Sequence, residues 1–164
     1  MKTLAISGWS GAGKTTLIAA LIPLIKARGF SVSTVKHAHH GVTLDKPGKD
    51  SFIHAEAGAQ EVILTTQDGF ALFSCRTTPL QALLVRLSPV DLVLVEGFKA
   101  EALPRLAVYR PALGKPAPWP DDDLLAVAAD TPLPDCPVPA LPLDRPGDIA
   151  DFLILALGLN KAGG

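Results

Sequence analysis

Gly8-Trp9-Ser10-Gly11-Ala12-Gly13-Lys14-Thr15 fits the pattern G-x-x-x-x-G-K-[ST]. An apolar run, Leu4-Ala5-Ile6, precedes it and reads as a first strand; Leu17-Ile18-Ala19-Ala20-Leu21-Ile22 comes after it and reads as a helix. Strand, glycine loop and helix start form the context in which the pattern is a phosphate-binding loop. Ordinary residue usage produces an accidental match in a chain of this length about once in two hundred, and the flanks make accident rarer still. Glycine at 8, 11 and 13 permits turns that a Cβ would block. Successive N–H groups, those of Trp9, Ser10 and Ala12 included, then converge on an anion at the positive end of a helix. Lys14 is expected on the β- and γ-phosphate oxygens, the Thr15 hydroxyl on Mg²⁺, and Thr16 on the α-phosphate. The stretch implies a nucleoside phosphate ligand.

Beyond the loop, 164 residues suit a single domain over 1–164 with its own core. A net charge of −1 supplies no basic field for nucleic acid or an anionic membrane. Cys75 and Cys136 are too few and too far apart for a zinc knuckle or a redox pair, and read as reduced thiols of a cytoplasmic protein. Met1-Lys2 runs straight into a short strand with no leader-like apolar core, and no apolar run approaches the length of a membrane span.

The first helix is expected to run to about Arg28, stop at Gly29 and kink before Pro23. Ser31 to Lys36 reads as a second strand, parallel to the first. Ser51 or Asp50 caps a short helix to about Gly58. Glu61 to Thr66 and Phe70 to Ser74, joined by a Gln67-Asp68-Gly69 turn, read as a hairpin. Thr78-Pro79 opens a helix to about Leu87. Leu92-Val93-Leu94-Val95, apolar on both faces, predicts a central parallel strand that delivers Glu96 to the edge where the phosphate loop lies. Leu106 to Tyr109 and Leu124 to Ala129 are further short strands; between Pro111 and Pro146 the chain carries 10 of its 15 prolines, which predicts loops joining short strands. Pro146 opens a last helix, stopped by Gly158. The fold class is α/β, a P-loop NTPase three-layer sandwich with a mostly parallel central sheet and an antiparallel hairpin at the edge.

Four sites accept more than one reading. Glu96 is expected to order Mg²⁺ through its waters or to position an attacking water. His37, His39 and His40 read as contacts to phosphate or a pterin phosphate, as transition-metal ligands, or as a solvated cluster, with Lys36 and Lys49 adding charge. Asp50 is either a helix cap or a ligand to a Mg²⁺-bound water. Asp130, at the end of Ala126-Val127-Ala128-Ala129, either accepts from guanine N1 and N2, selecting GTP over ATP, or simply shapes the turn before Pro132. Asp121-Asp122-Asp123 reads as a solvated acidic turn. No arginine stands out as a catalytic finger.

G-W-S-G-A-G-K-T-T-L at 8–17, K-H-A-H-H at 36–40, D-K-P-G-K-D-S at 45–51 and L-V-E-G-F-K at 94–99 together resemble the MobB family, the molybdopterin-guanine dinucleotide biosynthesis adaptor. The likeness covers residues 3 to about 100. It implies a GTP-binding, usually homodimeric protein with weak GTP hydrolysis. Such a protein works with the guanylyltransferase that joins GMP to molybdopterin. The loop lacks the early lysine of the ParA and nitrogenase-iron-protein type, so trans-activation by such a lysine is not expected. A GTP-driven metallochaperone using the histidines and an ATP-dependent small-metabolite kinase remain the competing classes.

Overall fold

A computed structural model of the chain describes residues 1–38 and 45–160. His39 and His40 therefore lie outside the described residues, as do positions 161–164. Internal contacts group the chain into two compact units, Met1–His37 with Arg86–Gly164, and Ala38–Val85.

The first unit is a six-stranded sheet in the order β2-β5-β1-β6-β7-β8. Its strands are β1 (Lys2–Ser7), β2 (Val32–Lys36), β5 (Leu92–Glu96), β6 (Arg105–Tyr109), β7 (Leu124–Ala129) and β8 (Ala140–Pro142). Every pairing among them is parallel. β5 lies between β2 and β1, so β2 runs parallel to β1 but one strand removed from it. The central place of β5 comes from its sequence: Leu92 to Val95 are all fully buried, and only a strand covered on both faces can hide four consecutive apolar side chains.

Helix α1 (Lys14–Ala27) continues through Pro23, which lacks the N–H that would bond the Ala19 carbonyl. Leu17, Ile18, Leu21 and Ile25 recur at helical spacing and bury one face against Leu4, Ile6, Leu94 and Leu106. The last helix, α4 (Pro146–Ala156), joins the same core through Ile149, Ala150 and Leu153. Arg28 ties the two helices together: Nη1 donates to Leu24 O, Nη2 to Gly147 O, and Nε to Asp151. Burial of each fully enclosed Leu or Ile here stabilises the fold by about 1.5–3 kcal/mol. The Pro-rich segment covers a second cluster, with Trp119, Leu133 and Val138 against Ala107, Leu124 and Val127. β8, with only three residues and one of them proline, carries no strand signal in the sequence.

The acidic turn is corrected. Asp121 is not simply solvated: its Oδ2 lies 2.9 Å from Nε of Arg105, a residue only 7% exposed, while its Oδ1 accepts from Asp123 N–H.

The second unit holds α2 (Asp50–Glu56), a hairpin of β3 (Glu61–Thr65) and β4 (Phe70–Ser74), and most of α3 (Leu80–Arg86). The hairpin pairs antiparallel, with Ile63 opposite Leu72 and Thr65 opposite Phe70, and forms a two-stranded sheet of its own. α2 corrects the capping expectation. Lys49 occupies the N-cap and makes no side-chain cap bond. Asp50 is inside the first turn, where a carboxylate favours the positive helix end. Ser51 is buried. The residue that caps α2 is thus a lysine, which no capping preference points to.

Candidate functional site: the phosphate loop and its rim

The register brings the strand ends level. Ile6 and Lys36 both pair with Glu96, and Tyr109 pairs with Ala129, so β1, β2, β5, β6 and β7 all end at one carboxyl edge of the sheet. Ligand sites of parallel α/β sheets lie at that edge.

The loop between β1 and α1 holds its shape through backbone constraints. Gly8 adopts φ 140°, and a Cβ there would stand 2.4 Å from the Val108 carbonyl oxygen. Only glycine lets the loop leave β1 this close to β6. Ala12 N–H donates to Trp9 O at 3.2 Å, closing a tight turn over Ser10 and Gly11. Gly13, at φ 101°, is the N-cap of α1, and its carbonyl accepts from Leu17 N–H.

Lys14 reaches back over this loop. Its Nζ donates to Gly8 O at 3.1 Å and to Trp9 O at 3.0 Å. Burial pushes its ammonium below the ordinary lysine value; nearby Glu96 opposes that shift, and Lys99 and Lys36 add to it. Three ammonium groups and one carboxylate thus gather here, an arrangement that favours an added polyanion.

Thr15 Oγ1 stands 3.3 Å from each Glu96 carboxylate oxygen. That is longer than a good O–H···O bond, so little is lost when a cation comes between them. The donor set is hard oxygen beside the phosphate loop, which fits Mg²⁺. Glu96 is 13% exposed, and Lys36 Nζ approaches its Oε2 at 3.3 Å. After Glu96 the chain turns sharply, with Gly97 at φ 96° and Phe98, a non-glycine, at φ 51°. A Cβ on Gly97 would meet His37 Cβ at 2.8 Å. His37 N–H bonds Glu96 O, and its ring lies 4.8 Å from that of Phe98. Left-handed backbone at a bulky residue stores strain of about 1–3 kcal/mol and concentrates at functional sites.

Trp9 is 41% exposed and pinned by its indole N–H, which donates to Pro116 O at 3.1 Å. Lys99 and Lys115 hold their ammonium groups 5.6 and 5.7 Å from its ring centroid. Beside it a cavity of about 470 Å³ opens among Gly8, Trp9, Lys99, Glu101, Arg105 and Asp121.

Asp130 sits on the rim of a smaller cavity, about 220 Å³, at the ends of β7 and β8, with Thr131, Pro142 and Asp144. It has a partner that no sequence signal announced. Arg110 Nη1 donates to Asp130 Oδ2 at 2.9 Å, and Arg110 Nε donates to Ala12 O in the phosphate loop at 3.0 Å. Lys14, Thr15, Glu96, Lys36 and His37 lie together at the carboxyl edge of the sheet. Thr16 is next on α1, exposed. Lys49 and Asp50 belong to the second unit, at the start of α2. Among the described residues no group of three His, Cys, Asp or Glu is placed to hold a metal ion. No helix among them is long and apolar enough to cross a membrane.

The family described as molybdopterin guanine dinucleotide synthesis protein B, MobB, matches residues 3–130. The chain belongs to the MobB family. Two curated MobB relatives carry the name molybdopterin-guanine dinucleotide biosynthesis adapter protein. That of Haemophilus influenzae is 42% identical over 156 residues, spanning 92% of this chain and 86% of its own length. That of Escherichia coli is 40% identical over 161 residues, spanning 92% and 90%. Among solved MobB structures, that of Bacillus subtilis has a TM-score of 0.77 at 22% identity over 96% of this chain and 98% of its own. The homologue from Bacillus stearothermophilus scores 0.71 at 24% identity over 98% and 100%. These two likenesses show the α/β fold with its mostly parallel central sheet; the antiparallel hairpin, expected at the edge, pairs as a two-stranded sheet of its own.

Proposed function

We propose that this chain is a Mg²⁺-GTP-binding adaptor in molybdopterin guanine dinucleotide biosynthesis, with slow GTP hydrolysis, and that its whole length acts as one nucleotide-binding domain. The observation that carries the reading is the gathering of Lys14, Thr15 and Glu96 around the Gly8–Gly13 loop at the carboxyl edge of the sheet. Loop N–H groups, with Gly11, Gly13 and Thr16, receive the phosphates. Lys14 exchanges its bonds to Gly8 O and Trp9 O for β- and γ-phosphate oxygens, and the amides and Lys14 meet charge that develops on the leaving β-phosphate. Mg²⁺, when bound, would supply charge that neutralises the phosphates. Thr15 would hold it directly and Glu96 would order its waters; Asp50 is the further carboxylate proposed for that water shell. Ser10 and Ala12 complete the loop, Trp9 shields it, and Asp130 reads guanine. His37, with His39, His40 and Lys49, contacts phosphate or a pterin phosphate.

The names carried by the relatives support the adaptor role; a guanylyltransferase and molybdopterin, in the cytoplasm, are the partners proposed for it. Homodimerisation is supported by the hairpin face on which Ile63, Phe70 and Leu72 stand 65%, 75% and 39% exposed.

Titration calorimetry with GTP and ATP, with and without Mg²⁺, tests the reading. The parent is expected to bind Mg²⁺-GTP more tightly than ATP, and Lys14→Ala to lose at least about tenfold in affinity, the equivalent of one charge-assisted bond. A Lys14→Ala chain that holds GTP like the parent sinks the proposal.

A further inference from the structure

Ala12 and Gly13 share a peptide plane inside the phosphate loop. A trans peptide sets its C=O and the following N–H on opposite sides. The Ala12 carbonyl is held by Arg110 Nε at 3.0 Å, so the Gly13 N–H is turned the other way, away from the guanidinium. An ideal Cβ on Gly13 would stand 3.6 Å from Arg110 Nη2, which shows how closely the guanidinium lies against this plane. The guanidinium is itself oriented from the opposite end, where Nη1 donates to Asp130 Oδ2 at 2.9 Å. Arg110 comes directly after β6 and Asp130 directly after β7. These strands are paired, with Tyr109 opposite Ala129, so the two side chains leave adjacent strand ends in register. The planar fork of arginine can bridge two acceptors in fixed directions; an ammonium cannot.

We infer that Arg110 is a positioning residue that couples the Asp130 cavity to the phosphate grip: Asp130 orients Arg110, and Arg110 holds the Ala12–Gly13 peptide with its N–H presented to phosphate. This rests on the proposed binding of a polyphosphate by the loop. The consequence is that Asp130, a negative group, strengthens the binding of an anion that it does not touch. Arg110 occupies Oδ2, so a base drawing on both carboxylate oxygens has to share one with Arg110. Occupation of the cavity and the set of the loop peptide become one event.

The test uses inorganic tripolyphosphate, which has no base, titrated with Mg²⁺ into the full chain. If Asp130 acted only by charge, Asp130→Ala would leave affinity unchanged or raise it, because a nearby negative charge is gone. The brace requires a fall, on the order of tenfold. Asp130→Asn keeps an acceptor oxygen for Arg110 and is expected to stay within about threefold of the parent. Arg110→Lys, which keeps the charge but loses the fork, is expected to fall as far as Arg110→Met. The inference is overturned if Asp130→Ala binds tripolyphosphate as well as the parent or better, or if Arg110→Lys binds it like the parent. A parent chain that binds neither tripolyphosphate nor GTP overturns instead the reading of the loop itself. Thermal midpoints of the two conservative variants, Asp130→Asn and Arg110→Lys, guard against loss of fold.

Discussion

At Gly8 the φ of 140° and the Val108 carbonyl oxygen 2.4 Å from any added Cβ act together. Gly8→Ala has to move either the loop or β6, at a cost of about 2 kcal/mol or more. The expected outcome is a lower thermal midpoint and loss of GTP affinity; a variant with unchanged midpoint and affinity would show that the loop tolerates the displacement. Residues of this kind are readable from sequence, because the pattern that names Gly8, Lys14 and Thr15 is itself a record of backbone geometry. Glu96 is readable for another reason: four apolar residues in a row fix a central strand, and the next residue lands at the ligand edge of the sheet. Arg110 is not readable. Its role depends on which strand lies beside β1, and nothing local in Val108-Tyr109-Arg110-Pro111 says that β6 does. Asp121 is a similar case, since its pairing partner Arg105 is the first residue of β6, far back in the sequence.

Elements meet at their ends as well as along their faces, and the starts of β2 and β5 show it. Asp91 Oδ2 accepts from Ser31 N–H at 2.7 Å and from the Ser31 hydroxyl at 2.6 Å, and Leu92 N–H donates to Ser31 O. The Ser31 hydroxyl, then its N–H, hold the Asp91 carboxyl below its ordinary value of 3.8. In the folded chain Asp91 therefore keeps its charge to lower pH than in the unfolded one. Its contribution is fully present above 3.8 and is lost as pH falls through the lowered folded value. Asp91→Asn is expected to destabilise the chain near neutral pH and to flatten the acid limb of its stability curve, measured by urea unfolding between about pH 6 and about pH 2. An acid limb as steep as the parent's would assign that slope to other carboxylates. The long, periodic elements are legible: α1, α4, β5, β7 and both hairpin strands fall where apolar spacing and turn residues put them. Short elements without periodicity are not. β8 is three residues ending in Pro142, and the α2 N-cap is a lysine where capping preference favours Asp50 or Ser51.

For the molecule as a whole, chain length suggests one domain, and contacts distribute it into two compact units. Length counts residues and carries no trace of which segments contact which, so the grouping into units is not read from it. The hairpin unit carries its own prediction. Ile63, Phe70 and Leu72 alternate onto one face of a two-stranded sheet, and a lone hairpin with an exposed apolar face is marginal in water. Ile63→Asp with Phe70→Asp is expected to convert the proposed dimer to a monomer in sedimentation velocity without lowering the affinity of the loop for GTP. A double variant that sediments like the parent would move the dimer contact to another surface.

Lys14, which clasps the Gly8 and Trp9 carbonyls, makes the loop its own rival. An incoming polyphosphate displaces two existing bonds instead of capturing an idle cation, and on departure the side chain has somewhere to return to. Grip is softened and turnover of ligand eased. A loop furnished in this way behaves as a revolving door more than as a vault toward the polyphosphate proposed for it.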